Sequence, residues 1–187
     1  MTMHLRRLLL LIGLCLIAVA TAGCKKARLR SQLKELMGST IVLPEKISCV
    51  RDGEMYPMPD SVRQKAKLLV YVDSTECSKC RISRFVRYEP FFKESERDGK
   101  FEVVLLLSIK ASEYAETVEY LELLENPFPV YIDEEHAFLG RNPVLPADSR
   151  LHGMFLQADG RPVLFGDPAA GEKIEELYFS ILINQKD

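Results

Sequence analysis

The chain has 187 residues, 47% hydrophobic and 28% charged, with 25 basic and 27 acidic side chains and a formal net charge of −2. That length supports one domain with a core of its own, and the slightly acidic balance argues against nucleic acid as the main partner. No internal repeat, Gly-rich phosphate loop, Gly-x-Ser-x-Gly elbow or His-Glu-x-x-His helix is present, which leaves those chemistries without residues to carry them.

Arg6-Arg7 followed by the apolar run Leu8 to Ala20 has the pattern of a signal peptide, too short to span a bilayer comfortably. The run ends in Thr21-Ala22-Gly23-Cys24, which resembles the lipobox of bacterial lipoproteins. The resemblance implies lipidation of Cys24, with residues 1–23 a removed leader and 24–38 a lipidated tether; the alternative is an ordinary signal peptide with an incidental Cys24. Without the leader, 164 residues remain at a net charge of −4, 23 basic against 27 acidic. Lys25, Lys26, Arg28 and Arg30 then form a basic run suited either to an anionic lipid surface or to solvent.

The spacing predicts a helix-permissive stretch to Gly38, a short strand over Thr40–Pro44, and turns at Asp52-Gly53 and Pro57-Met58-Pro59-Asp60. Leu68–Asp73 is a continuous apolar run, as expected of a strand covered on both faces. A helix follows Cys80, turning Ile82, Phe85 and Val86 inward and kinking or breaking at Pro90. Phe101–Ile109 is a second central strand, and Ser112 caps a helix whose Tyr114, Val118, Leu121 and Leu124 recur at helical spacing up to Asn126-Pro127. Val130–Asp133 is a third strand, and Glu134–Arg150 reads as irregular. Met154–Gln157 and Pro162–Phe165 form a hairpin about Asp159-Gly160, and Glu172–Asn184 is a helix presenting Ile174, Leu177, Tyr178, Ile181 and Leu182 on one face. Helical crossovers between the middle strands favour parallel pairing. The expected fold is α/β, a central mixed sheet with helices on both faces and an antiparallel edge hairpin.

Cys77-Ser78-Lys79-Cys80 sits where the first apolar strand gives way to a helix. Unpaired N–H groups at such a junction stabilise a thiolate, and a second cysteine one turn on can close a disulfide or resolve a mixed one. A bridge over so short a loop removes little unfolded-chain entropy, so chemistry explains the pair better than stability does. Among the other cysteines, Cys49 reads as a small buried hydrophobe near a strand rather than a third redox group.

The segments Asp73–Cys80, Phe128–Asp133 and Met154–Val163 together resemble the thioredoxin-like domain of membrane-tethered TlpA- or ResA-type oxidoreductases, within the wider redoxin group. The resemblance spans Gly38–Asn184 and assigns 39–187 to that domain. It implies that Cys77 is the nucleophile and Cys80 the resolver, with the redox disulfide in place of a cofactor. Two positions depart from the family. Glu76 replaces the usual aromatic residue in a chain with no Trp, and Leu151 or His152 stands where a cis-proline precedes the hairpin, unless Pro146 supplies it. Glu76 would raise the Cys77 pKa, whereas Lys79, Arg81 and Arg84 would lower it. His152 near the sulfurs would serve as a base, a thiolate partner or a metal ligand, or would simply bond to backbone; His136 beside Glu134 and Glu135 reads as solvated.

The leading expectation is therefore an envelope thiol–disulfide oxidoreductase acting on protein thiols and disulfides, lipid-anchored and facing the periplasm, with Cys77 and Cys80 catalytic and His152, Lys79 and Arg81 auxiliary. Two alternatives stand beside it. One is a Cu(I)-binding module similar to the SCO chaperones, using Cys77, Cys80 and His152, although its spacing is one residue short of theirs. The other is a thioredoxin-fold interaction protein without catalysis.

Overall fold

The computed structural model describes residues 29–124 and 128–184. Residues 29–37 are helical (α1), with Leu36 fully buried. After α1 come β1 (Ile47–Arg51), β2 (Glu54–Pro57), α2 (Asp60–Gln64), β3 (Ala66–Val72), α3 (Ser78–Ile82), α4 (Glu89–Asp98), β4 (Phe101–Leu107) and α5 (Tyr114–Leu123). The chain continues through β5 (Val130–Asp133), α6 (Phe138–Arg141), β6 (Gly153–Leu156), β7 (Pro162–Phe165) and α7 (Glu172–Asn184). No helix among the described residues is long and apolar enough to cross a membrane.

One seven-stranded sheet has the order β2-β1-β5-β4-β3-β6-β7. Strands β3, β4 and β5 run parallel, and β6 pairs antiparallel with β3 before turning back as β7. The apolar runs Leu68–Val72 of β3 and Val103–Leu107 of β4 follow from burial on both faces. Leu68, Val70, Val72, Val103, Leu105 and Leu107 enter one core, while Leu69, Tyr71, Val104 and Leu106 enter the other. The first core lies under α3, α4, α5 and α7 and takes Ile82, Phe91, Leu121 and Tyr178. The second lies under α2 and α6, which contribute Val62 and Phe138. Helices on both faces and an edge hairpin are thus as expected.

Several local expectations fail. Thr40–Pro44 is not a strand: Ile41 N donates to Gly160 O at 2.9 Å and Val42 N to the Asn142 side chain at 2.8 Å, so loop partners replace a ladder. The strand lies further on, as β1, and Asp52-Gly53 closes the β1–β2 hairpin with φ of 53° and 76°. Pro90 sits in the first turn of α4, where its missing N–H costs nothing, and the helical break falls earlier, at Ser83-Arg84. That break swings Val86 outward, 63% exposed. A 3-10 turn at Ala111–Glu113 precedes α5, so Ser112 does not cap it. Leu177 on α7 faces solvent while Tyr178 and Leu182 are buried. The stretch from Glu134 holds α6 and a 3-10 turn at Ser149–Leu151. Asn126-Pro127 and Cys24 lie outside the described residues.

Candidate active site

The chain leaves β3 at Val72 and is turned by Asp73, whose side chain accepts from Thr75 N at 2.7 Å and whose carbonyl accepts from Glu76 N at 2.9 Å. This local turn, favoured by an Asx residue, delivers Cys77 to the N-cap of α3 in an extended conformation. Cys77 and Cys80 are disulfide-bonded with their Cα atoms 5.3 Å apart, and both are exposed. Cys80 N–H points at Cys77 Sγ, 3.3 Å away. A five-residue helix has only a small macrodipole, so this direct bond is the main stabilisation that the backbone offers a Cys77 thiolate. Ser83 Oγ bonds to Cys80 O at 3.0 Å and helps to end α3 after little more than one turn.

Neither cation beside the pair is free to act on the sulfurs alone. Lys79 is ion-paired with Glu116 of α5, and its ammonium lies 5.8 Å from the Tyr120 ring centroid. Arg81 stands between Glu76, at 3.8 Å, and Asp167, at 3.6 Å. Asp167 in turn accepts from the Tyr88 hydroxyl at 2.7 Å and from Ala169 N at 2.9 Å. Burial, together with the neighbouring Asp167 charge, pushes the Tyr88 phenol far up, so it remains a donor to that carboxylate. The site is therefore a network in which one guanidinium, Arg81, lies between the two carboxylates of Glu76 and Asp167, with the Tyr88 hydroxyl donating to the second. A cleft of about 440 Å³ opens over Cys77 toward α5, bounded by Thr75, Lys79, Lys110 and Glu116.

His152 is 4% exposed and directly precedes β6. Its carbonyl accepts from Tyr71 N at 3.0 Å, its Nε2 contacts Pro146 O at 2.8 Å, and its ring lies 5.6 Å from that of Tyr71. It shares a second cleft, about 490 Å³, with Asp73, Thr75 and Glu76, and neither sulfur lines that cleft. No peptide bond among the described residues is cis, and none of their His, Cys, Asp and Glu side chains form a group of three that could hold a metal ion. His136 is exposed, and its Nδ1 lies 2.6 Å from Ser108 Oγ. Cys49 is buried on β1 between Tyr56 and Tyr131 on the flanking strands, and burial pushes its thiol up. Asp167, Tyr88 and Glu116 escape sequence reasoning, since no local pattern ties them to the cysteines.

No protein-family model and no curated protein matches the chain. Among solved structures it is similar to the exposed lipoprotein thioredoxin Etrx1 of Streptococcus pneumoniae TIGR4, at 19% identity over 73% of this chain and 97% of that one, with a TM-score of 0.47. A putative thiol:disulfide interchange protein DsbE from Chlorobium tepidum gives 15% identity, 77% and 98% coverage, and a TM-score of 0.49. A thioredoxin-like protein from Porphyromonas gingivalis gives 15%, 80% and 97%, and 0.46. The parallel β3-α-β4 unit, the antiparallel β6–β7 hairpin with its closing helix, and a Cys-x-x-Cys disulfide at the head of the first crossover helix identify the fold as thioredoxin-like.

Proposed function

We propose that the chain is a thiol–disulfide oxidoreductase of the bacterial cell envelope that exchanges disulfides with protein substrates. The observation that carries this reading is the exposed Cys77–Cys80 disulfide with the Cys80 N–H aimed at the Cys77 sulfur. In the reducing direction, the Cys77 thiolate attacks one sulfur of a substrate disulfide and the other substrate sulfur leaves as a thiolate. Cys80, as thiolate, then attacks Cys77 Sγ and expels the first substrate sulfur. The substrate gains two electrons and the Cys77–Cys80 bond re-forms. A dithiol donor must reduce it again before the next turn.

Supporting the location are sequence features of residues 1–24, a signal-like run within 1–23 and a lipobox-like Thr21–Cys24; in this reading they lead to lipidation at Cys24 and leave a tether over 24–38, ending in α1, before the domain at 39–187. Lys79 and Arg81 hold the local charge balance in this reading, and no metal takes part in it.

The test is insulin-disulfide reduction with dithiothreitol as the donor. Wild-type protein turns over, Cys77→Ser abolishes turnover, and Cys80→Ser, reduced and freed of dithiothreitol before mixing with insulin, accumulates a mixed disulfide resolvable on a non-reducing gel. Undiminished turnover by Cys77→Ser overturns the assignment. Inactive wild type would return the chain to an interaction role, and stoichiometric Cu(I) retained by the reduced protein against a chelator would favour the copper reading, with the Cys77 and Cys80 thiolates as its ligands.

A further inference from the structure

Among the described residues, two buried side-chain polar atoms have no hydrogen-bond partner: Glu76 Oε1 and His152 Nδ1. Both residues line the same cleft of about 490 Å³, and Glu76 adjoins Cys77 in the chain. The coincidence has a definite polarity. Pro146 O, 2.8 Å from His152 Nε2, can only accept, so Nε2 carries a ring proton, and in the tautomer with that proton alone Nδ1 presents a lone pair. Glu76 Oε1 is an acceptor as well. Two unpartnered acceptors on residues that line one cleft, each atom itself buried, are left short by the protein and meet a donor only when their side chains turn toward an occupant.

Charge points the same way. The cleft is lined by the carboxylates of Asp73 and Glu76 and by no Lys or Arg, while Leu139, Pro143 and Leu145 provide an apolar wall. An aliphatic stem with a cationic donor head matches that combination. Glu76 is also able to reach an occupant. Its side chain is 25% exposed, and its other oxygen is held only by Arg81 at 3.8 Å, beyond hydrogen-bond length, so the carboxylate can turn Oε1 toward the cleft.

We propose that this cleft seats a lysine or arginine side chain of the substrate polypeptide, close in sequence to the disulfide that Cys77 attacks, with its N–H groups donating to Glu76 Oε1 and His152 Nδ1. The proposal rests on the exchange reading of Cys77–Cys80 and adds a substrate class to it: polypeptides with a basic residue near the reactive cysteine. Glu76 and His152 act here as specificity residues.

The experiment uses the full-length chain, reduced and freed of excess dithiol. It is mixed with peptides of one sequence that carry an intramolecular disulfide and, nearby, Lys, norleucine or Glu. Second-order rate constants are read in single turnover. The Lys peptide reacts about tenfold faster than the norleucine peptide, and the Glu peptide is slowest. Glu76→Gln and His152→Gln each shrink the Lys-to-norleucine ratio to within about twofold, and the ratio cancels any change in the reactivity of Cys77 itself. Raising the salt concentration shrinks it in wild type too. Equal Lys and norleucine rates in wild type overturn the proposal, assign the two atoms to bound water, and leave the exchange reading standing. If no peptide is reduced, the exchange reading fails instead. Binding of cysteine-free Lys and norleucine peptides to the oxidised wild-type protein, followed through the His152 ring resonances, then decides the cleft by the same ratio. That arm also decides it if a variant does not fold.

Discussion

Gly153 opens β6 opposite Val70, and an alanine there tests how tightly the loop after β7 is pressed against the sheet. A Cβ at this position would stand 2.6 Å from Gly166 O, 2.8 Å from Asp167 Cα and 2.9 Å from Asp167 N. All three are backbone atoms, so no side chain can rotate away. The bond from Gly166 N to Gly153 O, 2.8 Å long, holds the two segments together and must stretch or break. Overpacking of this kind costs about 1–3 kcal/mol, and the reduced freedom of the unfolded chain returns about 0.4–1 kcal/mol. The expected net loss is about 1–2 kcal/mol, which for a domain of this size lowers Tm by roughly 3–8 °C. The displaced loop carries Asp167, so Tyr88 and Arg81 lose their partner as well. Urea unfolding of the oxidised protein measures the loss, with Gly140→Ala in α6 as the control. A Cβ on Gly140 meets nothing within 4 Å, and alanine there gains roughly 0.5 kcal/mol of helix propensity. A Gly153→Ala midpoint equal to wild type, or a larger loss at Gly140, would refute the reasoning.

The alkaline limb of stability is set by phenols. Burial raises Tyr71 to about 12 and drives Tyr88, Tyr131 and Tyr178 further up, while a hydrogen bond to Cys49 followed by burial raises Tyr56 to about 12. The unfolded chain ionises these groups near pH 10 and the fold does not. Their contribution is whole below about pH 10 and shrinks above it, by up to about 1.4 kcal/mol per pH unit for each fully buried phenol. Urea midpoints should fall steeply between pH 10 and 12, and a midpoint unchanged across that range contradicts the burial of these rings. Cys49, buried and with its thiol pushed up, should stay unmodified when the reduced native protein meets iodoacetamide at pH 8, while Cys77 is alkylated. Peptide mapping by mass spectrometry reads this directly, and comparable labelling of the two would show Cys49 to be accessible.

The parts of the fold legible in sequence are those in which each residue's burial repeats along the chain. β3 and β4, apolar from Leu68 and from Val103 onward because both faces are covered, stand out, and so do the Asp159-Gly160 hairpin and the full extent of α7. β1 is harder to read because its Ser48 and Arg51 interrupt an apolar run that is buried only in part. Thr40–Pro44 has strand composition, yet its partners are a turn glycine and an asparagine about a hundred residues away. Val86 obeys helical spacing counted from Ile82, but the turn at Ser83 resets the phase. At the site, the cysteine pair and its neighbours Glu76, Lys79 and Arg81 are local and could be named in advance. Their counter-charges could not. Asp167 lies 86 residues beyond Arg81 and Glu116 lies on α5, so only the folded sheet reveals that both cations are already paired.

The outermost strands have a consequence for a chain held at high density on a surface. β2 and β7 are four residues long and each contains a proline, Pro57 and Pro162. A proline offers no N–H to an approaching strand, and Glu54 and Arg161 put charge at the same margins. Neighbouring copies crowded side by side would find no extended ribbon to continue, so growth of the sheet from one molecule into the next is disfavoured.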